Sequence, residues 1–130
     1  MTVDNKRSKT IDIQQRTFEF ACRVIRLYKA LIKKDRSNEI IARQLARSGT
    51  SIGANLEEAA GAQSRADFIS KCHIALKEAR ECYYWLRLLV QTEVIPKKSA
   101  ELLIQESNEL VSILTCIVKN TRNSSAANKS

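Results

Sequence analysis

Glycine and proline are scarce in this sequence, with three glycines and one proline among 130 residues. Tight turns draw heavily on both residues, so their shortage argues against an all-β fold, which needs many turns. No stretch approaches the roughly 18 consecutive apolar residues of a membrane span, and the N-terminus lacks the apolar segment of a signal peptide. We therefore expect a few long helices, a cytoplasmic location and no membrane partner.

Metal-ligating and catalytic side chains are also scarce. His73 is the only histidine, and none of the four cysteines lies in a CxxC pair. Cys72 and His73 are adjacent, so on a helix they point to different faces and do not make a ligand pair. Glu57 and Glu58 likewise point about 100° apart, which argues against a paired-carboxylate mechanism. We predict no catalytic residue, no metal site and no cofactor, and we do not expect an enzyme.

The cysteines fall within helical apolar patterns, where cysteine behaves as a small hydrophobic residue. They are Cys22, Cys72, Cys82 and Cys116. Their scatter is unlike a disulfide framework and is typical of a protein in a reducing cytoplasm.

Apolar residues recur at helical spacing in four segments separated by short breaks. The segments run from about Asp12 to Lys33, Asn38 to Ala62, Arg65 to Thr92, and Pro96 or Lys97 to Arg122. Similar lengths and short connections make neighbouring helices antiparallel. The predicted fold class is therefore all-α, an antiparallel up-down four-helix bundle over residues 11–122. Residues 1–10 are predicted to be a flexible N-terminal segment and 123–130 a disordered C-terminal tail.

Polar residues mark the predicted helix ends. Asp12 suits the positive N-terminal end of the first helix, and Ser37 or Asn38 could cap the second. Ser64 partly resembles a helix start. The stretch Glu93–Pro96 is the clearest turn, because proline disfavours helical geometry at the preceding residue.

Small residues dominate one part of the second helix, which includes Gly49 and Gly53. Each glycine inside a helix costs roughly 1 kcal/mol relative to alanine. Close approach of a neighbouring helix is the usual reason for such a cost, and we expect it at Gly53. The alternative is a kink or a break in the helix.

The first helix carries two apolar stripes. One contains Ile13, Val24 and Leu31, and the other contains Phe18, Ile25 and Ile32. Their centres lie about 120° apart at 100° per residue, so both cannot face the centre of a narrow bundle. One stripe should pack inside the subunit and the other against a neighbouring subunit. The pattern does not decide which, and we favour the second stripe, with Trp85 of the third helix, for the interface. The alternative is a bulky core that buries both stripes within one subunit.

Positive charge is concentrated near the N-terminus. The net charge is +8, and residues 1–36 hold ten Lys or Arg against four Asp or Glu, which is +6 of that total. A cation row along one helix suits phosphates spaced along a strand. The predicted nucleic-acid-binding residues are Arg16, Arg23, Arg26, Lys29, Lys33, Lys34 and Arg36. The alternative is a solvated face in which Glu19 pairs with Arg23.

The middle of the chain resembles a known protein family. Residues 47–61 read RSGTSIGANLEEAAG, and residues 64–69 read SRADFI. They are similar to the pattern S-I-x-x-N-I-x-E-G, then an acidic-Phe pair, of the small four-helix bundle proteins encoded in intervening sequences of bacterial 23S ribosomal RNA genes. The matching residues are Ser51, Ile52, Asn55, Glu58, Asp67 and Phe68, with Leu56 in place of the second Ile. Gly53 and Ala59 depart from it, since the family often has Pro and Gly there.

The resemblance implies a bacterial, cytoplasmic protein that forms a ring, with a homopentamer as the expected assembly. It also implies kinship with the accessory variability protein of diversity-generating retroelements, which has the same bundle, binds nucleic acid and works with a reverse transcriptase. We predict a non-enzymatic oligomeric protein that binds RNA or DNA and is accessory to a reverse transcriptase. The alternative is a protein-interaction scaffold of the same family without direct nucleic-acid binding.

Overall fold

The structure is a computed structural model that describes the backbone of residues 5–129 and the side chains of residues 13–124. Its helices are α1 (Asn5–Lys34), α2 (Glu39–Ala60), α3 (Arg65–Gln91) and α4 (Lys97–Lys129), with a 3₁₀ turn at Arg36–Asn38. Residues 5–129 contain no strand. Each helix packs on the next one in the chain, which confirms the predicted up-down four-helix bundle.

The outer helices are longer than their apolar pattern predicts. α1 begins at Asn5, so Asp12 lies inside the helix and the prediction that it marks the N-terminus is wrong. α4 continues past Arg122 to Lys129. Neither extension contains Gly or Pro, so nothing local stops the helix. Both helices thus enter the segments predicted to be flexible, whose flexibility stays a prediction; residues 1–4 and 130 lie outside the described residues.

The turn between α1 and α2 is organised by Asp35. Its carboxylate accepts a hydrogen bond from the backbone N–H of Ser37 at 2.9 Å. This bond holds the pKa of Asp35 below its ordinary value. Asn38 occupies the N-cap position of α2 without a side-chain cap; its amide donates instead to the carbonyl of Leu31 at 3.0 Å. The predicted N-cap position at Asn38 is therefore confirmed, but its side chain makes no capping bond, because it is used in the 3₁₀ turn instead.

The other two connections follow the sequence more closely. Ser64 caps α3, since its hydroxyl accepts from the N–H of Asp67. α3 ends where Glu93 takes a left-handed backbone conformation, with φ 63°. The N–H of Val94 then bonds to the carbonyl of Leu89, and that of Glu93 to the carbonyl of Val90. This is a Schellman motif, which satisfies carbonyls that the helix end would leave unpaired.

α1 and α2 approach each other closely at the two glycines. A Cβ atom on Gly49 would lie 2.8 Å from Cγ1 of Val24, and one on Gly53 would lie 3.4 Å from Oγ1 of Thr17. α2 continues through both positions without a break. The expected close approach is confirmed, and it is tighter at Gly49 than at Gly53.

α1 and α4 pack against each other less extensively than successive helices do. A cavity of about 640 Å³ opens there, lined mainly by apolar side chains that include Ile13, Phe68 and Ile117. None of the described helices is both long enough and apolar enough to cross a bilayer.

Candidate nucleic-acid and subunit interfaces

Arg16 is held by α4. Its guanidinium donates to Glu106 through Nε at 3.0 Å and Nη2 at 2.6 Å, and Nη2 also reaches Glu109 at 3.2 Å. The side chains of Arg16 and Glu106 are only 23% and 19% exposed. No local sequence pattern indicates this pairing, because Arg16 and Glu106 lie ninety positions apart. Arg16 therefore has an ion-pair partner, whereas the other predicted binding residues form no ion pair with a described side chain.

Three of the predicted binding residues form one outward surface, which we call the α1 cation face: Arg26, Lys29 and Lys33. All three are exposed. At 100° per residue they fall within about 60°, almost opposite the buried positions of α1, and they span about 10 Å along the axis. None has an acidic residue three or four positions away. Their charge is thus presented to solvent without an acidic partner among the described side chains.

The remaining predicted cations flank this face. Arg23 is half-buried on the side of α1 that faces α4, while Lys34 and Arg36 are exposed at the end of α1 and in the 3₁₀ turn. Glu19 accepts a hydrogen bond from Gln15 at 3.0 Å and forms no described ion pair with Arg23. The outer side of α1 is therefore positively charged.

The two apolar stripes of α1 separate as expected. Ile13, Val24 and Leu31 are buried in the core, whereas Phe18 is 63% exposed and Ile25 is 41% exposed. Ile32 is half-buried and packs against the core. The assignment of the first stripe to the interior is confirmed. The subunit contact through the second stripe stays a prediction.

Trp85, the other predicted interface residue, lies half-buried against the core. Its indole Nε1 is buried and has no hydrogen-bond partner among residues 13–124. Tyr84 meets its ring edge-on, with 5.0 Å between centroids, and is itself exposed. An indole N–H normally finds an acceptor when buried, so Trp85 lacks one within the described part of this chain.

A second cationic surface, which the sequence reasoning missed, lies between α3 and α4. Arg80, Lys119 and Arg122 line a groove of about 350 Å³ there, together with His73. Residues 37–130 carry almost no net charge, so the overall count gave no signal. The signal that could have found it is the helical register, which separates these cations from the glutamates of the same helices.

The segment that resembles the known family forms contacts within the subunit. Arg47 pairs with Glu78, at 3.2 Å, and with Glu81, both on α3. The hydroxyl of Ser51 donates to the carbonyl of Arg47 at 2.6 Å, and the amide of Asn55 donates to the carbonyl of Ser51 at 2.8 Å. These polar residues therefore tie α2 to itself and to α3.

All four cysteines are free thiols. Burial raises the pKa of the Cys82 thiol to about 12 and also raises the pKa of Cys72. A raised pKa keeps both thiols protonated and weakly nucleophilic at neutral pH. The described residues contain no group of three or more His, Cys, Asp or Glu side chains placed to hold a metal ion.

By its fold, the protein is a small all-α bundle. It carries two cationic surfaces, one on α1 and one between α3 and α4. The model of the 23S rRNA-intervening sequence protein family matches residues 9–116. The crystal structure of a protein of unknown function from the S23 ribosomal protein family of Bacteroides thetaiotaomicron is 46% identical and superposes with a TM-score of 0.77, covering 82% of this chain and 98% of that chain. No curated protein matches. The chain belongs to the 23S rRNA-intervening sequence protein family.

Proposed function

We propose that this protein is a non-enzymatic, ring-forming homo-oligomer that binds RNA or DNA through the phosphate backbone. The α1 cation face carries the proposal. Arg26, Lys29 and Lys33 are exposed, share one side of the helix and have no acidic neighbour at helical spacing. Such a row attracts phosphates whatever their sequence, because the interaction is with backbone charge and not with base edges.

The apolar residues beside the cations support the oligomeric part of the proposal. Ile25 lies one helical turn from Lys29, and Phe18 lies on the same side of α1. Large exposed apolar patches on one subunit are commonly covered by another. A homopentamer is the assembly proposed, and the phosphate-binding row would then run along the edge of each subunit contact.

The competing function is a protein-interaction scaffold in which the basic face only confers solubility or meets an acidic protein. The two functions differ in how binding responds to salt. Each phosphate contact contributes roughly −0.9 to the slope of log K against log salt on duplex DNA and about −0.7 on single strands. A scaffold that only resists aggregation has no such slope with nucleic acid.

The test compares the wild type with Arg26→Gln/Lys29→Gln/Lys33→Gln, using fluorescence anisotropy of labelled RNA and DNA of several sequences. We expect weaker binding to all sequences alike and a salt slope smaller by about two to three. The matched control is Lys97→Gln/Lys98→Gln with Lys77→Gln, three exposed cations on α3 and α4. If the triple variant keeps both the affinity and the slope, the α1 cation face is not the binding surface.

An accessory role beside a reverse transcriptase stays a prediction from family resemblance. Gene neighbourhood tests it directly. An adjacent reverse-transcriptase gene with a template repeat supports that role, whereas a position inside a ribosomal RNA gene supports the intervening-sequence lineage. A cytoplasmic location is part of the same proposal and is consistent with four free thiols.

A further inference from the structure

The groove between α3 and α4 has an apolar floor and a cationic rim. Leu76 and Val118 are buried beneath it, and Arg80, Lys119 and Arg122 are exposed around it. Its volume is about 350 Å³, which is large enough to admit a small anionic group and not only water. Three cations thus meet at one concave site built by two helices.

Four glutamates of the same helices are held away from this groove by ion pairs. On α3, Glu78 and Glu81 are held towards α2 by Arg47. On α4, Glu106 and Glu109 are held towards α1 by Arg16. The acidic side chains nearest in sequence thus pair with Arg47 or Arg16. The cations between α3 and α4 have no ion-pair partner among the described side chains.

Helical register gives the same result residue by residue. Arg80, Lys119 and Arg122 have no Asp or Glu three or four positions away, and Lys119 and Arg122 are themselves one turn apart. None of them forms an ion pair with a described side chain. Like charges placed together destabilise the fold slightly unless an anion sits between them.

His73 adds a polar atom without a partner at the same place. It lines the groove, and its buried Nδ1 has no hydrogen-bond partner among the described residues. A buried polar atom of this kind needs an explanation, and an ordered water or ion beside it is one that fits a cationic groove. The groove therefore combines uncompensated positive charge with an unsatisfied ring nitrogen.

We propose that the α3/α4 groove is a binding site for phosphate groups. A phosphate offers several oxygens and close to two negative charges, so it can contact Arg80, Lys119 and Arg122 together, and arginine matches it with two parallel hydrogen bonds. The phosphate belongs either to a polynucleotide backbone or to a small phosphorylated compound. The polynucleotide source rests on the proposed function, whereas the small-compound source does not. The groove is built by α3 and α4, whereas Arg26, Lys29 and Lys33 lie on the outer side of α1, so this site is separate from the α1 cation face.

The experiment uses the full chain with two probes, inorganic pyrophosphate and labelled oligonucleotides. Arg80→Gln/Lys119→Gln removes two groove cations, and Lys97→Gln/Lys98→Gln removes two exposed cations elsewhere as the matched control. Thr115→Glu places an acidic group on the groove wall as an independent variant. All of these positions are exposed, so the bundle should fold, and circular dichroism checks it.

With the wild type, pyrophosphate should shift amide NMR signals around Leu76, Arg80 and Lys119, and both groove variants should bind it about tenfold more weakly or not at all. If the source is a polynucleotide, the double groove variant should also lower the oligonucleotide salt slope by about 1.4 on single strands. A pyrophosphate response without an oligonucleotide effect identifies a small phosphorylated compound as the source.

The site and the proposed function can fail separately. If pyrophosphate shifts no groove signal and the groove variants bind oligonucleotides like the Lys97/Lys98 control, the phosphate site is overturned. The α1 triple variant then still decides the proposed function by itself. If only the α1 variant loses oligonucleotide binding while pyrophosphate still occupies the groove, both proposals stand and the two surfaces have different ligands.

Discussion

Arg16 and Glu106 form a two-pronged ion pair that joins the first and last helices of the bundle, with Nε–Oε2 and Nη2–Oε1 distances of 3.0 and 2.6 Å. α1 and α4 have few other contacts, and a cavity lies beside the pair. Bidentate arginine–carboxylate pairs combine charge with fixed geometry, and partial burial reduces their screening by solvent. The pair therefore joins α1 to α4 where the apolar packing between the two helices is incomplete.

We expect Glu106→Gln to lower the free energy of unfolding by about 1–2 kcal/mol, because it keeps the shape but leaves the partly buried Arg16 charge without its main partner. Glu109→Gln is the matched control. Glu109 is 49% exposed and contacts Arg16 at 3.2 Å, so its loss should cost no more than about 0.5 kcal/mol. Urea denaturation measures both. Equal effects of the two variants would mean that the Arg16–Glu106 pair does not stabilise the contact between α1 and α4.

Gly49 and Gly53 form a second matched pair. Gly49→Ala brings a Cβ to 2.8 Å from Val24, so overpacking of about 1–3 kcal/mol should exceed the roughly 1 kcal/mol gained in helix propensity. Gly53→Ala makes a contact of 3.4 Å with Thr17 and should be neutral or stabilising by up to about 1 kcal/mol. Thermal unfolding should rank the variants in that order. The reverse order would contradict the close approach at Gly49.

Glu93 occupies a backbone conformation that favours glycine, with φ 63° after the end of α3. Glu93→Gly should raise the free energy of unfolding by about 0.5–1 kcal/mol, since glycine adopts left-handed geometry without steric cost. Glu93→Ala is the control, because it removes the carboxylate and keeps the Cβ. Stabilisation by both variants alike would assign the effect to the charge and not to the backbone.

Assembly depends on the exposed stripe of α1 in our proposal. Phe18→Asp/Ile25→Asp should give a folded but smaller species by light scattering, because both side chains are exposed in the subunit and charge there opposes association. Ile40→Asp/Leu102→Asp changes two other exposed apolar residues and should leave the assembly intact. A wild-type protein that is monomeric at micromolar concentration would exclude the ring.

The buried thiol of Cys82 links stability to alkaline pH. Its pKa is raised by burial to about 12 from an ordinary 9.0, so above pH 9 the unfolded state loses this proton while the native state keeps it. The contribution of this thiol to the free energy of unfolding should therefore be fully present below pH 9. It should be lost towards pH 12, by at most about 1.4 kcal/mol per pH unit. Cys82→Ala should flatten that part of the profile, and Cys116→Ala, at an exposed thiol, should not. Identical profiles for the two variants would refute the linkage.

Helical periodicity was sufficient to predict the four helices and the order in which they pack. It also separated the stripe of Val24 from the stripe of Phe18, because the two lie far apart on the helical wheel, but it did not decide which stripe faces the core. It did not predict that Arg16 pairs with Glu106, since no local pattern links residues on the first and last helices. The α3/α4 groove was missed for the same reason: Arg80 and Lys119 come together only when two helices pack.

The order of helix packing has a consequence for how the chain folds. Because α1 packs on α2, α2 on α3 and α3 on α4, most tertiary contacts join segments that are neighbours along the chain. Folding rates rise as the sequence separation of contacts falls, and helical bundles of this kind fold within microseconds to milliseconds. Successive helical hairpins can form one after another, and the meeting of α1 with α4, which needs the longest loop, adds little to the barrier.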